Sequence, residues 1–134
     1  MSAGRLSAVR RRTGGWYAPL EEGDDPMDAW ELDELEAARE AKRAPYHEFI
    51  SKPDLSGGLY VLEAGAIDRQ SPHTEDELYV VMSGRGRITV GDEVRDVRPG
   101  TVVFVGAGEI HRFHDIEERL VLLVAFGPAE YSRA

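Results

Sequence analysis

A chain of 134 residues is long enough for one domain with a terminal appendage and too short for two independent cores. It contains no cysteine, which removes disulfides, thiolate metal sites, iron–sulfur clusters and thiol nucleophiles, so any metal must be held by nitrogen and oxygen. A formal charge of −9 at pH 7 opposes binding to nucleic acid and to anionic membrane surfaces, both of which demand a basic face.

Residues 1–24 mix Gly, Ser, Arg and acids without a period, as a loose terminus does. Trp16 and Tyr17 leave two readings open, a mobile tail or an arm docked on the domain or on a partner subunit. Arg10, Arg11 and Arg12 precede no hydrophobic region, so no export signal is expected there. Asp25-Pro26 is a helix start signal, an acid that caps free N–H groups followed by a residue that has none. The helix is predicted to run to about Lys42, with Met27, Trp30, Ala37, Ala38 and Ala41 on one side and Pro45 as its stop.

From Tyr46 the pattern changes to short β-prone runs separated by turn residues. Strands are predicted at 46–51, 59–63, 78–83, 85–90, 93–97, 101–105, 111–115 and 120–126, with turns at Gly57-Gly58, Gly91-Asp92 and Pro99-Gly100. Eight strands at this spacing point to a closed sandwich or jelly roll. The longest apolar run, Leu120 to Phe126, is far below the roughly 20 residues that span a bilayer, so a cytoplasmic protein with no membrane contact is expected.

Chemistry concentrates in the second half. His73 stands four residues before Glu77, and His111 opens a strand. Glu77, Tyr79 and Val81 share one face of a strand, so an inward Glu77 brings Tyr79 inward, either as a catalytic residue that orients substrate or transfers a proton, or as a space-filling ring. His47 and His114 are expected on the surface or behind the site. Glu75 and Asp76 read as a solvated acidic loop.

Two frames surround these residues. One runs Gly65, five residues, Ser71-Pro72-His73, three residues, Glu77, six residues, Gly84; the other runs Gly100 to Asp115 with Gly106 and His111 in place. Together they resemble the two motifs of the cupin superfamily, in the small single-domain, conserved-barrel (cupin 2) form, with fifteen residues between Gly84 and Gly100. The departures are Ser71 for a histidine, Gly106 for a proline and Asp115 for an asparagine.

The resemblance implies an all-β fold, a double-stranded β-helix or jelly-roll barrel, with an N-terminal extension containing one α-helix. The expected organisation is an arm and helix over 1–45, the barrel over 46–127 and a tail over 128–134. Carried over by position, His73, Glu77 and His111 are metal ligands. Ser71 is too weak a donor, so water, substrate or Gln70 completes the set. The cofactor is then a divalent ion, Fe, Mn, Ni or Zn, whose binding is expected to weaken below about pH 6 as imidazoles protonate. The resemblance leaves open a small metal-dependent enzyme (dioxygenase, isomerase or lyase) acting on a compact oxygen-rich molecule, or a sensing module that binds a small-molecule ligand in a metal-free pocket. A scaffold without a ligand fits poorly, since buried His and Glu would be uncompensated. Exposed sheet edges and the apolar surface of the helix and of Trp16-Tyr17 lead to the expectation of a homodimer.

Overall fold

The computed structural model describes residues 26–133, so the arm with Trp16 and Tyr17 and the cap at Asp25 lie outside the described residues. The chain divides into two units, up to Glu31 and from Leu32 onward. The second unit holds one helix and six strands: α1 (Leu32–Lys42), β1 (Tyr46–Lys52), β2 (Leu55–Leu62), β3 (Asp76–Val90), β4 (Glu93–Val97), β5 (Val102–Val105) and β6 (His111–Gly127). The strands are antiparallel in the order β1-β2-β6-β3-β4, with β5 paired to β3, and they form the all-β barrel that the resemblance implies.

Two differences from the predicted strands share one cause. The runs predicted at 78–83 and 85–90 are one strand, and so are those at 111–115 and 120–126. Each long strand changes the parity of its buried residues partway along. In β3 the buried positions are Glu77, Tyr79 and Val81 before the change and Gly84, Gly86 and Ile88 after it. The β3–β6 register shifts between Val81 and Arg87, and irregular pairing of this kind bends a strand and turns side chains to the other face. Bending here keeps both halves facing one interior. In β6 the change falls around Asp115, whose φ is 49°.

Gly84 makes the bend in β3 possible. Its φ is 96°, and a Cβ there would lie 2.0 Å from the carbonyl oxygen of Arg119 on β6. Gly100, at the start of the second motif, returns to the same bend, where its N–H donates to Val81 O at 2.8 Å and Val81 N–H donates to Thr101 O at 2.9 Å.

Gly57-Gly58 is not a turn. Both residues lie inside β2, paired with β1 and β6, because the Tyr46 ring occupies the space that a Cβ on Gly58 would need, 2.2 Å away. The turn falls instead at Pro53-Asp54, between the paired Lys52 and Leu55. Gly91-Asp92 closes the predicted β3–β4 hairpin, with Val90 opposite Glu93.

Buried side chains from β2 to β6 fill the interior, Tyr60, Leu62, Tyr79, Ile88, Val97, Val105, Phe113 and Leu122 among them, and the half-buried Tyr46 of β1 packs against them. Tyr79 and Phe113 meet edge to face at 4.9 Å, the favoured geometry for two quadrupolar rings. A second cluster covers the outside of β2 and β6, where Leu35 of α1 packs with Leu59, Val61 and Val121. The helix starts at Leu32 rather than at Pro26, and its buried residues are Leu35 and Arg39, whereas Ala37 and Ala41 are exposed. Burying one leucine is worth about 1.5–3 kcal/mol, more than alanines offer, so Leu35 sets which face docks. No helix among the described residues is long and apolar enough to cross a membrane.

Gly84→Ala should therefore destabilise the protein by at least about 3 kcal/mol, through a strained φ and a backbone clash together. Gly100→Ala has a φ of 93° but open space around it, and should lose only about 1–2 kcal/mol. Denaturant titration of the two variants reads the difference, and equal losses would contradict the role given to the bend.

Candidate metal centre

The parity of β3 before its bend points Glu77 and Tyr79 inward, and the first residue of β6 brings His111 beside them. His73 enters from the loop before β3, where its carbonyl accepts the Gly108 N–H at 2.7 Å. Thus the two motif regions are tied together directly behind the site. His73, Glu77 and His111 are all buried, and one donor atom from each lies within 4.8 Å of the others.

Within this cluster the donors approach without satisfying one another. Glu77 Oε1 lies 3.1 Å from His111 Nε2 and 3.5 Å from His73 Nδ1, yet both Glu77 oxygens and His73 Nδ1 lack an aligned hydrogen-bond partner. The far side of each imidazole is occupied. His73 Nε2 lies 2.9 Å from Glu130 Oε2, and His111 Nδ1 lies 2.9 Å from the carbonyl oxygen of Glu109. Acceptors on the far side call for an N–H there, which leaves His73 Nδ1 and His111 Nε2 as the nitrogens able to offer lone pairs to a metal. Two imidazoles and a carboxylate with donor atoms within 4.8 Å of one another fit a divalent ion of the Fe, Mn, Ni or Zn group.

Gln70 and Tyr79 stand beside this set in a chain of hydrogen bonds. Tyr79, wholly buried, donates its hydroxyl hydrogen to Gln70 Oε1 at 2.9 Å, and its oxygen lies 3.1 Å from His111 Nε2. Gln70 Nε2 donates to Asp68 Oδ2 at 2.9 Å. Asp68 also accepts from the Tyr60 hydroxyl at 2.6 Å and from Phe113 N–H at 2.9 Å. Asp68 escaped the sequence reading because it belongs to neither motif's ligand set, yet it fixes the loop that carries Gln70. Ser71, exposed, stands on the wall of the adjoining cavity, which has a volume of about 670 Å³ and is also lined by His73, Glu77, Gln70, Glu130 and Tyr131.

The remaining candidates lie elsewhere. His47 Nδ1 is 2.7 Å from Lys42 Nζ on the outside, and His114 bridges Thr89 at 2.7 Å and Asp115 at 3.0 Å. Asp76 accepts the Ala107 N–H at 3.0 Å as an exposed residue. Glu75 is a correction to the solvated acidic loop: it is 1% exposed, and its carboxylate accepts the Thr74 hydroxyl and the backbone N–H groups of Tyr131 and Arg133. These bonds outweigh burial and hold its pKa below the usual carboxylate range.

Electrostatics follow the same geometry. Burial pulls the His73 pKa down, but the adjacent Glu130 and Glu77 carboxylates outweigh it and push it up to about 9. Burial likewise lowers that of His111, and the Glu77 carboxylate with the Glu109 carbonyl raises it overall. Burial opposes ionisation of Glu77, and the two histidines with the Tyr79 hydroxyl reverse this and keep it a carboxylate. Tyr79 is pushed far above the usual phenol range, by burial first and then by Glu77, so it remains a neutral phenol at any physiological pH.

Comparison with known proteins agrees with this picture. Residues 58–126, just over half of the chain, match the model of the cupin domain family. An uncharacterized protein of Streptomyces coelicolor is 51% identical over 104 residues, which cover 78% of this chain and 99% of that one. Among solved structures, a putative mannose-6-phosphate isomerase from Ralstonia eutropha superposes with a TM-score of 0.55 at 22% identity, over 63% of this chain and 83% of that one. The DMSP lyase DddQ from Ruegeria pomeroyi gives 0.56 at 18% identity, over 63% of this chain and 48% of that one. At these identities the structural likeness shows the fold alone.

A His73 pKa of about 9 changes the expected pH dependence of metal binding. At neutral pH the metal-free protein carries a proton on His73 that a metal must expel, so affinity rises with pH by up to about tenfold per unit until about pH 9. Sequence alone placed the loss below about pH 6. Zinc competition against a colorimetric chelator from pH 6 to 9.5 reads the curve, and an affinity already level above pH 7 would contradict the ion pairs described.

Proposed function

Because the chain belongs to the cupin family, we propose that it is a metal-binding single-domain cupin in which His73, Glu77 and His111 hold a divalent ion. The observation that carries this reading is the set of buried donor atoms on Glu77 and His73 without a hydrogen-bond partner, beside Nε2 of His111. Unmatched buried acceptors cost about 1–3 kcal/mol each, and an ion among them removes that cost.

In this reading the protein is a small metal-dependent enzyme of the isomerase, lyase or dioxygenase type, acting on a compact oxygen-rich molecule that enters the adjoining cavity. A bound ion supplies Lewis-acid polarisation of a substrate oxygen at its open positions. Gln70 Oε1 is engaged by Tyr79, so water or substrate completes the coordination. Tyr79, kept neutral, holds Gln70 through its hydroxyl hydrogen and stands beside His111 Nε2 as a phenol rather than acting as a base.

One observation favours a second reading, a metal-free pocket for an organic ligand. The raised pKa of His73 allows an imidazolium between Glu77 and Glu130, which compensates part of the buried charge without a metal.

A homodimer is proposed on different grounds from those in the sequence. The helix uses Leu35 on its own barrel, whereas Leu78 of β3 lies opposite Phe104 of β5, and both are exposed, with Met82 and Val102 exposed on the same two strands. An apolar sheet face of this kind calls for a cover. Light scattering at micromolar concentration should give twice the monomer mass for the wild type and a monomer for Phe104→Glu; a monomeric wild type would remove the dimer.

The metal assignment is tested by calorimetric titration of metal-free protein with Mn(II), Fe(II), Ni(II) and Zn(II). His73→Ala, Glu77→Ala and His111→Ala should each lose about 100-fold or more in affinity for the preferred metal, because two ligands seldom hold a divalent ion against water. Ser71→Ala should match the wild type. Equal affinities for wild type, His73→Ala and His111→Ala, together with a co-purifying organic compound, would favour the metal-free pocket instead.

A further inference from the structure

The segment that follows β6 lies beyond the family match, which ends at residue 126, yet it reaches the metal centre. Glu130 places Oε2 2.9 Å from His73 Nε2, and the Tyr131 ring centre lies 5.4 Å from that of His73. Both residues line the cavity. The segment is fastened along its length: Ala129 N–H donates to Pro53 O at 3.3 Å, and Glu130 N–H donates to the buried Ser56 hydroxyl at 2.8 Å. Tyr131 N–H and Arg133 N–H then donate to the Glu75 carboxylate at 2.6 and 2.9 Å.

Glu75 belongs to the same stretch as the ligands. His73, Glu75 and Glu77 are buried in alternation with exposed Thr74 and Asp76, so one inward-facing row supplies two metal donors and the anchor for the terminal segment. Burying a carboxylate is unfavourable unless donors compensate it, and here the terminal segment supplies two of its three donors. An imidazole can present either nitrogen, and a carboxylate that accepts a hydrogen bond from one ring N–H fixes the ring and directs the other nitrogen.

We propose that residues 128–133 form a strap that is part of the metal site, in which Glu130 is a positioning residue that holds the Nε2–H of His73 and turns Nδ1 toward Glu77 and His111, while Glu75 is the clasp that keeps the strap in place. The proposal rests on the metal-binding reading above and adds to it the nitrogen used by His73 and the residues that select it. Glu130 touches neither metal nor substrate in this arrangement.

The test uses the full chain labelled with 15N-histidine and loaded with Zn(II), which is diamagnetic. Long-range proton–nitrogen correlation should show His73 bound through Nδ1 with a proton fixed on Nε2, and His111 bound through Nε2. Glu130→Ala should lower zinc affinity about 10–100-fold and abolish the fixed Nε2 proton signal, whereas Glu130→Gln, whose amide oxygen still accepts that proton, should recover most of the affinity. Glu75→Gln should weaken zinc binding in the same direction. Combined with Glu130→Ala, it should add little, because both act through one ring. Zinc binding by wild type that is unchanged in Glu130→Ala, or His73 bound through Nε2, would overturn the strap and leave the metal site standing. Wild type that binds no zinc would overturn both.

Discussion

A carboxylate held at 2% exposure inside a barrel governs much of what surrounds it. Glu77 cannot be left charged and alone, because the interior provides little of the solvation that water would. Two imidazoles approach its Oε1 within 3.5 Å, neither aligned as a hydrogen bond, and each is braced from behind by a separate acceptor, Glu130 for His73 and the Glu109 carbonyl for His111. A cation among these donors would complete the arrangement electrostatically. In the metal-free protein protons on the histidines take that part, which is why both pKa values move upward.

Glu77 and His111 stand at opposite ends of the β3–β6 ladder, and the chain returns from one to the other through β5, where Val105 pairs with Glu77 six residues before His111. β3 and β6 pair from Asp76–Gly127 to Val90–His111, so the start of one strand and the end of the other lie side by side at each end of the ladder. Were β3 straight, the parity that turns Glu77 and Tyr79 inward would carry Ile88 outward; the irregular pairing around Gly84 removes that conflict. The motif glycines therefore act on the site indirectly, by letting one strand serve the interior on both sides of a bend.

Legibility in the sequence divides along physical lines. Strand β4 and the Gly91-Asp92 hairpin were readable because alternation and turn chemistry are local signals, and the clustering of His73, Glu77 and His111 was reached through the resemblance to the two cupin motifs. Gly57-Gly58 misled as a turn signal, since whether paired glycines turn or pair depends on a distant ring, that of Tyr46. The docking face of α1 was misjudged because counting small apolar residues at helical spacing overlooked Leu35, which offers more area than any alanine. Glu75, Asp68 and Glu130 were beyond reach for a common reason: a buried acid and an exposed one look alike in sequence, and only the backbone N–H groups and hydroxyls brought to them by tertiary structure distinguish the two. The single local hint was the alternation of His73, Glu75 and Glu77, which marks one inward row.

The central claim, that the buried His–Glu–His set is a metal site, is tested most directly by anomalous diffraction from crystals of the full chain grown with Mn(II). The account predicts one strong anomalous peak between the side chains of His73, Glu77 and His111. Full-length crystals grown in millimolar Mn(II) with no anomalous density at that point would contradict it.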